Sequence, residues 1–144
     1  MRETTIQKIR AFHRFYMPTF DLLGNHYLGS AYSVTEARVL FEVYHNNGCN
    51  ASYIAKTMNI DKSYLSRIIK NHEKNGYLYR TMSKEDSRVY HIYLTENGKL
   101  LAEDFIQKSN RQIEALIQPL TQDECALLSD ALCTVRTLLE KCSN

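Results

Sequence analysis

The chain has 144 residues, 44% of them hydrophobic and 24% charged, with a formal net charge of +2. This is the length of one globular domain with its own core, and the balance excludes a disordered or fibrous chain. No apolar run approaches the roughly 18 residues of a membrane span, and the charged opening "MRETTIQKIR" is not a secretory leader. A cytoplasmic protein without membrane attachment is expected.

The bulky residues Ile6, Ile9, His13, Tyr16 and Phe20 recur at 3-4-3-4 spacing, which predicts a first helix that Pro18 kinks or ends. "SVTE" (33–36) is a capping box opening a helix through "ARVLFEVYHN", and "NNG" (46–48) stops it. Asn50 is suited to cap a short helix turning Ile54, Ala55 and Met58 inward. Asp61 is suited to cap the next, "KSYLSRIIKNHEKN", which Gly76 closes at its C-terminal end. The period then changes from helix to strand. "YLYRTM" (77–82) and "VYHIYL" (89–94) alternate as two strands, with "SKEDSR" as the loop between them. Thr95 starts a long helix to about residue 118, and Pro119 with "TQDE" (121–124) starts the last. Leu128, Ala131, Val135, Leu138 and Cys142, with Leu127, Leu132 and Leu139 beside them, make that last helix's stripe too wide for a solvated surface. It predicts burial between helices or between subunits.

The fold expected is mainly α with a small β-hairpin, a winged helix-turn-helix. Residues 33–95 would be the winged lobe, flanked by an N-terminal helix and loop (1–32) and C-terminal helices (96–144) in one compact domain.

Residues 50–95 carry eight basic against four acidic side chains, a net of +4, whereas residues 96–144 carry five against eight, a net of −3. A basic middle points to an anionic partner. On the helix after Asp61, Leu65, Ile68, Ile69 and His72 share one side. Ser63, Arg67, Lys70 and Lys74 lie within about 40° of the opposite direction, at roughly 100° per residue. An apolar back and a basic, hydroxyl-bearing front suit a DNA major groove. The residues expected to meet DNA are Asn50, Ser52, Lys62, Ser63, Tyr64, Ser66, Arg67 and Lys70, with Lys84, Asp86, Ser87 and Arg88 at the hairpin tip. There Arg88 would reach a minor groove, and Asp86 would hold its guanidinium by a bidentate pair. His72 and His13 occupy core-facing positions and are expected as core histidines rather than ligands.

The run Asp61–Gly98 resembles the winged-helix signature of MarR-family transcription regulators: "EKNG" (73–76), Arg80, then Asp86 and Arg88 in a D-x-R wing, then "LTENG" (94–98). His72 departs from the family's usual Leu, and Ser87 from the Arg often found inside the wing motif. The resemblance implies a homodimer built from the N- and C-terminal helices on a pseudo-palindromic operator, with half-sites roughly 10 bp apart. It also implies a repressor released by a small, aromatic effector. Phe12, His13, Tyr16, Phe20, Tyr27 and Tyr32, with Arg38 for a carboxylate, are the candidates to hold such an effector.

Two alternatives remain beside this reading. The same fold serves as a protein-interaction module. No cysteine precedes Cys49, which disfavours a thiol sensor on the first helix. Cys49, in a polar loop, is the remaining candidate for oxidation and is expected as a plain exposed thiol. An enzyme is not expected, since the chain has no G-x-S-x-G, phosphate-binding glycine loop or metal triad. Cys49, Cys125, Cys133 and Cys142 form no C-x-x-C pair, and the five histidines have no metal-ligand spacing, so no disulfide framework, metal or cofactor is expected.

Overall fold

The computed structural model describes residues 1–143. Six helices and one hairpin follow among them: α1 (Arg2–Thr19), α2 (Val34–His45), α3 (Ala51–Met58), α4 (Lys62–Lys74), β1 (Leu78–Met82), β2 (Tyr90–Leu94), α5 (Glu96–Ile117) and α6 (Gln122–Glu140). A single 3₁₀ turn at Tyr27–Gly29 was not foreseen from the sequence. The chain divides into two compact units, Met1–Ser109 and the part from Asn110 on.

The caps explain the helix starts. Ser33 Oγ accepts from the Glu36 N–H at 3.2 Å while Glu36 Oε1 accepts from the Ser33 N–H at 3.1 Å, a complete capping box. Asn50 Oδ1 accepts from Tyr53 N–H at 2.8 Å and Asp61 Oδ2 from Tyr64 N–H at 3.0 Å. Thr121 Oγ1 accepts from Glu124 N–H at 3.1 Å, but here the return bond runs from the Thr121 hydroxyl to Glu124 Oε1. Gly76, at φ +80°, follows the C-cap of α4. Helix α1 starts at Arg2, four residues before the first periodic residue, and carries Glu3 in its first turn, where a carboxylate suits the helix dipole. Pro18 falls in its last turn, so the helix ends one residue later without a break.

The core gathers Val39, Leu40 and Val43 from α2, Ile54 from α3, Leu65, Ile68 and Ile69 from α4, Leu78 and Ile92 from the hairpin, and Phe105 from α5. The strands pair antiparallel from Leu78↔Leu94 to Met82↔Tyr90. Cys49 adds an outlying bridge to Ile92: Gly48 N–H donates to Ile92 O at 2.7 Å, and Ile92 N–H to Cys49 O at 2.8 Å. Cys49 is therefore buried, which corrects its reading as an exposed thiol. His13 is exposed on α1, not a core histidine.

The glycine of "LTENG" also has a packing reason. A Cβ on Gly98 would stand 2.0 Å from the Tyr77 carbonyl oxygen. Thr95 fixes that close approach by donating its hydroxyl to Gly76 O at 2.5 Å and accepting from Gly98 N–H at 3.0 Å.

Neither α1 nor α6 contains a buried residue. Ile9, Phe12 and Phe15 on α1, and Leu127, Leu132, Val135, Leu138 and Leu139 on α6, are all exposed.

Candidate nucleic-acid interface

Helix α4 buries Leu65, Ile68, Ile69 and His72 and leaves Lys62, Ser63, Tyr64, Ser66, Arg67 and Lys70 exposed, the division that the residue angles predict. The Arg67 guanidinium lies over the Tyr64 ring, Cζ 5.9 Å from its centre, on the exposed face of the helix. At the start of α3, Ser52 is exposed. Asn50 is half-buried with its side-chain oxygen spent on the helix cap.

The hairpin tip is shaped by its own polar groups. Ser83 N–H donates to Val89 O at 2.8 Å, and Glu85 N–H to Ser83 Oγ at 3.2 Å. Asp86 Oδ1 accepts from the Arg88 backbone N–H at 3.0 Å and from Arg88 Nε at 3.2 Å, while Asp86 Oδ2 accepts from Nη2 at 3.3 Å. This is the fork expected of the D-x-R pair. The Arg88 side-chain contact, followed by its backbone N–H, holds the Asp86 carboxyl below the usual carboxylate range. Arg88 keeps 88% of its side chain exposed, so it is aimed without being withdrawn from solvent. Lys84 and Ser87 are exposed on the same tip.

Between the start of α3, the face of α4 and the hairpin lies a cleft of about 280 Å³. It brings Asn50, Ser52, Lys62, Ser66 and Arg88 together. Ser63, Tyr64, Arg67 and Lys70 stand on α4, and Lys84, Asp86 and Ser87 on the tip, outside the cleft's lining. Arg80 lines the cleft too, although it was not among the expected contact residues. Its place in the "EKNG…R" pattern was the available signal.

The MarR family's sequence profile matches residues 32–90, which take in α2, α3, α4 and the hairpin up to the start of β2. Over this lobe the chain is similar to the MarR family. Among curated relatives, the uncharacterized HTH-type transcriptional regulator YdgJ of Bacillus subtilis is 27% identical over 104 residues, covering 72% of this chain and 63% of its own length. The HTH-type transcriptional regulator PapX of Escherichia coli is 27% identical over 119 residues, covering 83% and 71%. The chain thus spans less than two thirds of YdgJ. Of the solved structures, FabT of Streptococcus pneumoniae in complex with DNA superposes with a TM-score of 0.74 at 19% identity, over 98% of this chain and 99% of that one. A cysteine-to-serine mutant of E. coli MarR complexed with operator DNA does so at 0.75 and 23%, over 94% and 97%. At these identities the superpositions establish the fold, a MarR-type winged helix.

Where the MarR family usually has Leu, this chain buries His72 completely. Burial pulls its pKa down, the Glu36 carbonyl only partly opposing this, so the neutral ring is favoured. Nε2 lies 2.9 Å from that carbonyl and must carry the proton, leaving Nδ1 buried without a partner among the described residues. Tyr32 and Tyr77 pack around the ring, at 5.6 and 6.2 Å between centroids. The Tyr32 pKa is pushed up to about 12, first by burial and then by the neighbouring Tyr77 hydroxyl.

The candidate effector residues are not gathered in one place. Arg38 lines an apolar pocket of about 330 Å³ with Leu22, Tyr27, Val34, Phe41 and Phe105. Arg38 Nε also donates to Glu42 Oε1. Tyr32 belongs to the His72 cluster instead. Tyr16 packs between Phe12 and Phe20, with tilted rings 5.3 and 4.6 Å away between centroids, and neither Phe12, Tyr16 nor His13 lines the pocket. Leu22 and Phe41 were missed, because residues brought together through space leave no local period. Among the described residues, no group of three or more His, Cys, Asp or Glu is positioned for a metal ion, and no helix is long and apolar enough to cross a membrane.

Proposed function

We propose that this chain is a sequence-specific DNA-binding transcription regulator that acts in the cytoplasm as a homodimer on a pseudo-palindromic operator. The observation that carries the reading is the Asp86–Arg88 fork beside the exposed basic face of α4. Such a wing offers a pre-aimed arginine to the minor groove while Arg67 and Lys70 face the major groove. Lys62, Lys84 and Arg88 supply phosphate contacts and salt-dependent affinity. Dimerisation is supported by the unburied apolar faces of α1 and α6, which a second copy would cover.

Regulation follows from the pocket around Arg38. An aromatic carboxylate fits its apolar walls, with the guanidinium as counter-ion. Its occupancy would favour a dimer whose recognition helices no longer match the operator, a coupling of about 1–3 kcal/mol that makes the protein a repressor released by its effector. Thiol sensing is less well supported, because Cys49 is buried and burial, then Glu42, pushes its thiol pKa up.

The test is Arg88→Ala. Its exposed side chain predicts an unchanged melting temperature together with weakened DNA binding. Unaltered DNA binding would remove the wing from the interface.

A further inference from the structure

Arg80 leaves β1 at the floor of the cleft, where its Nε stands 2.9 Å from Glu73 Oε1 at the end of α4. The contact is an ion pair without a formed hydrogen bond, since Glu73 Oε1 is buried and accepts none. Its Cζ lies 5.3 Å from the Tyr90 ring centre on β2. Among the described residues no hydrogen bond engages its Nη nitrogens, and the side chain is 35% exposed. Arg80 is thus held on one side by an acid from the recognition helix and on its face by a wing aromatic. Its free edge shares the cleft with Lys62, Ser66 and Arg88.

We infer that Arg80 is a further DNA-contact residue, binding one backbone phosphate at the junction of α4 and the wing, and that Glu73 and Tyr90 are the residues that position it. The inference rests on the DNA-binding reading above. A planar guanidinium whose two Nη nitrogens are both unbonded is suited to a bidentate phosphate contact. The cleft floor lies off the outward face of α4, so a backbone oxygen suits the site better than a base edge. The Glu73 contact is made through Nε, so the Nη nitrogens stay available to that oxygen while the guanidinium keeps its place over Tyr90.

Salt dependence separates a phosphate contact from a packing role. Affinity for a bound duplex would be measured between 50 and 200 mM salt for the wild type, Arg80→Gln and Arg80→Lys, with melting temperatures alongside. Losing one phosphate contact lowers the slope of log K against log salt by about one, which weakens binding on the order of fivefold at 0.15 M salt. Arg80→Gln is expected to show both, equally on specific and unrelated duplexes. Arg80→Lys is expected to recover the slope while binding more weakly than the wild type. An Arg80→Gln slope equal to the wild type's would overturn the assignment, whether affinity is kept or falls in step with melting temperature. If the wild type itself binds no duplex, the functional reading fails with it; a wild type that binds confines failure to Arg80.

Discussion

His72 Nε2 donates to the Glu36 carbonyl at 2.9 Å, joining α4 to the first turn of α2 across 36 residues of chain. The ring is wholly buried, which favours its neutral form, and its other nitrogen has no partner among the described residues.

That arrangement makes stability depend on pH. His72 has its folded pKa lowered from 6.5, so the unfolded chain takes up the proton first. The stabilisation is present in full above about pH 6.5 and is lost as the pH falls from there toward the folded pKa. His72→Leu keeps the volume and returns the family's usual residue, so it is expected to cost less than about 1.5 kcal/mol at pH 7.5. Denaturant titrations from pH 7.5 to 5 should show the mutant gaining on the wild type with acid. Parallel profiles would mean that His72 does not titrate.

Gly98→Ala forces a Cβ against the Tyr77 carbonyl, a backbone atom that no rotamer change can move. Separating α5 from the α4–β1 turn also strains the Thr95 hydroxyl's bond to Gly76. The expected loss is roughly 3 kcal/mol or more, read as a lower urea midpoint. A change under about 0.5 kcal/mol would show that the approach relaxes freely.

These two sites show what the sequence reveals and what it hides. Caps act within three residues, so Ser33, Asn50, Asp61 and Thr121 were legible, as was the Asp86–Arg88 fork two residues apart. The burial of Cys49 depends on a bridge to Ile92, 43 residues on. The Arg38 pocket draws on the loop after α1, α2 and α5, and the Arg80–Glu73 pair crosses from helix to strand. Periodicity marks which face of an element is apolar but not which distant atom meets it. The same limit explains why aromatics on α1 were grouped with Arg38: their spacing describes one helix face, while the pocket is made elsewhere.

Arg67 and Lys84 are expected to fail differently. Arg67 stands on the outward face of α4, so Arg67→Ala should narrow the difference in affinity between operator and unrelated DNA. Lys84, exposed at the wing tip, should on removal weaken every duplex about equally and lower the salt slope by about one. Identical effects of the two substitutions on specificity would contradict these roles.

The pocket beside Arg38 gives a ligand prediction. Benzoate at 100 times its dissociation constant should stabilise the protein by about 2.7 kcal/mol, seen as a higher melting temperature. Arg38→Ala should abolish the shift, whereas Phe12→Ala, outside the pocket, should keep it. A shift that survives Arg38→Ala would move the site elsewhere.

The central claim is that the α4 face and the wing recognise DNA, and fluorescence anisotropy tests it most directly. The probe is the duplex lying just upstream of the protein's own coding region, titrated at 50 and 200 mM salt against unlabelled competitor. Tight binding that competitor does not remove, falling steeply between the two salt concentrations, is the predicted result. Binding that is weak at both, or that any sequence displaces equally, would contradict recognition of that duplex and turn the basic wing toward a partner other than this DNA.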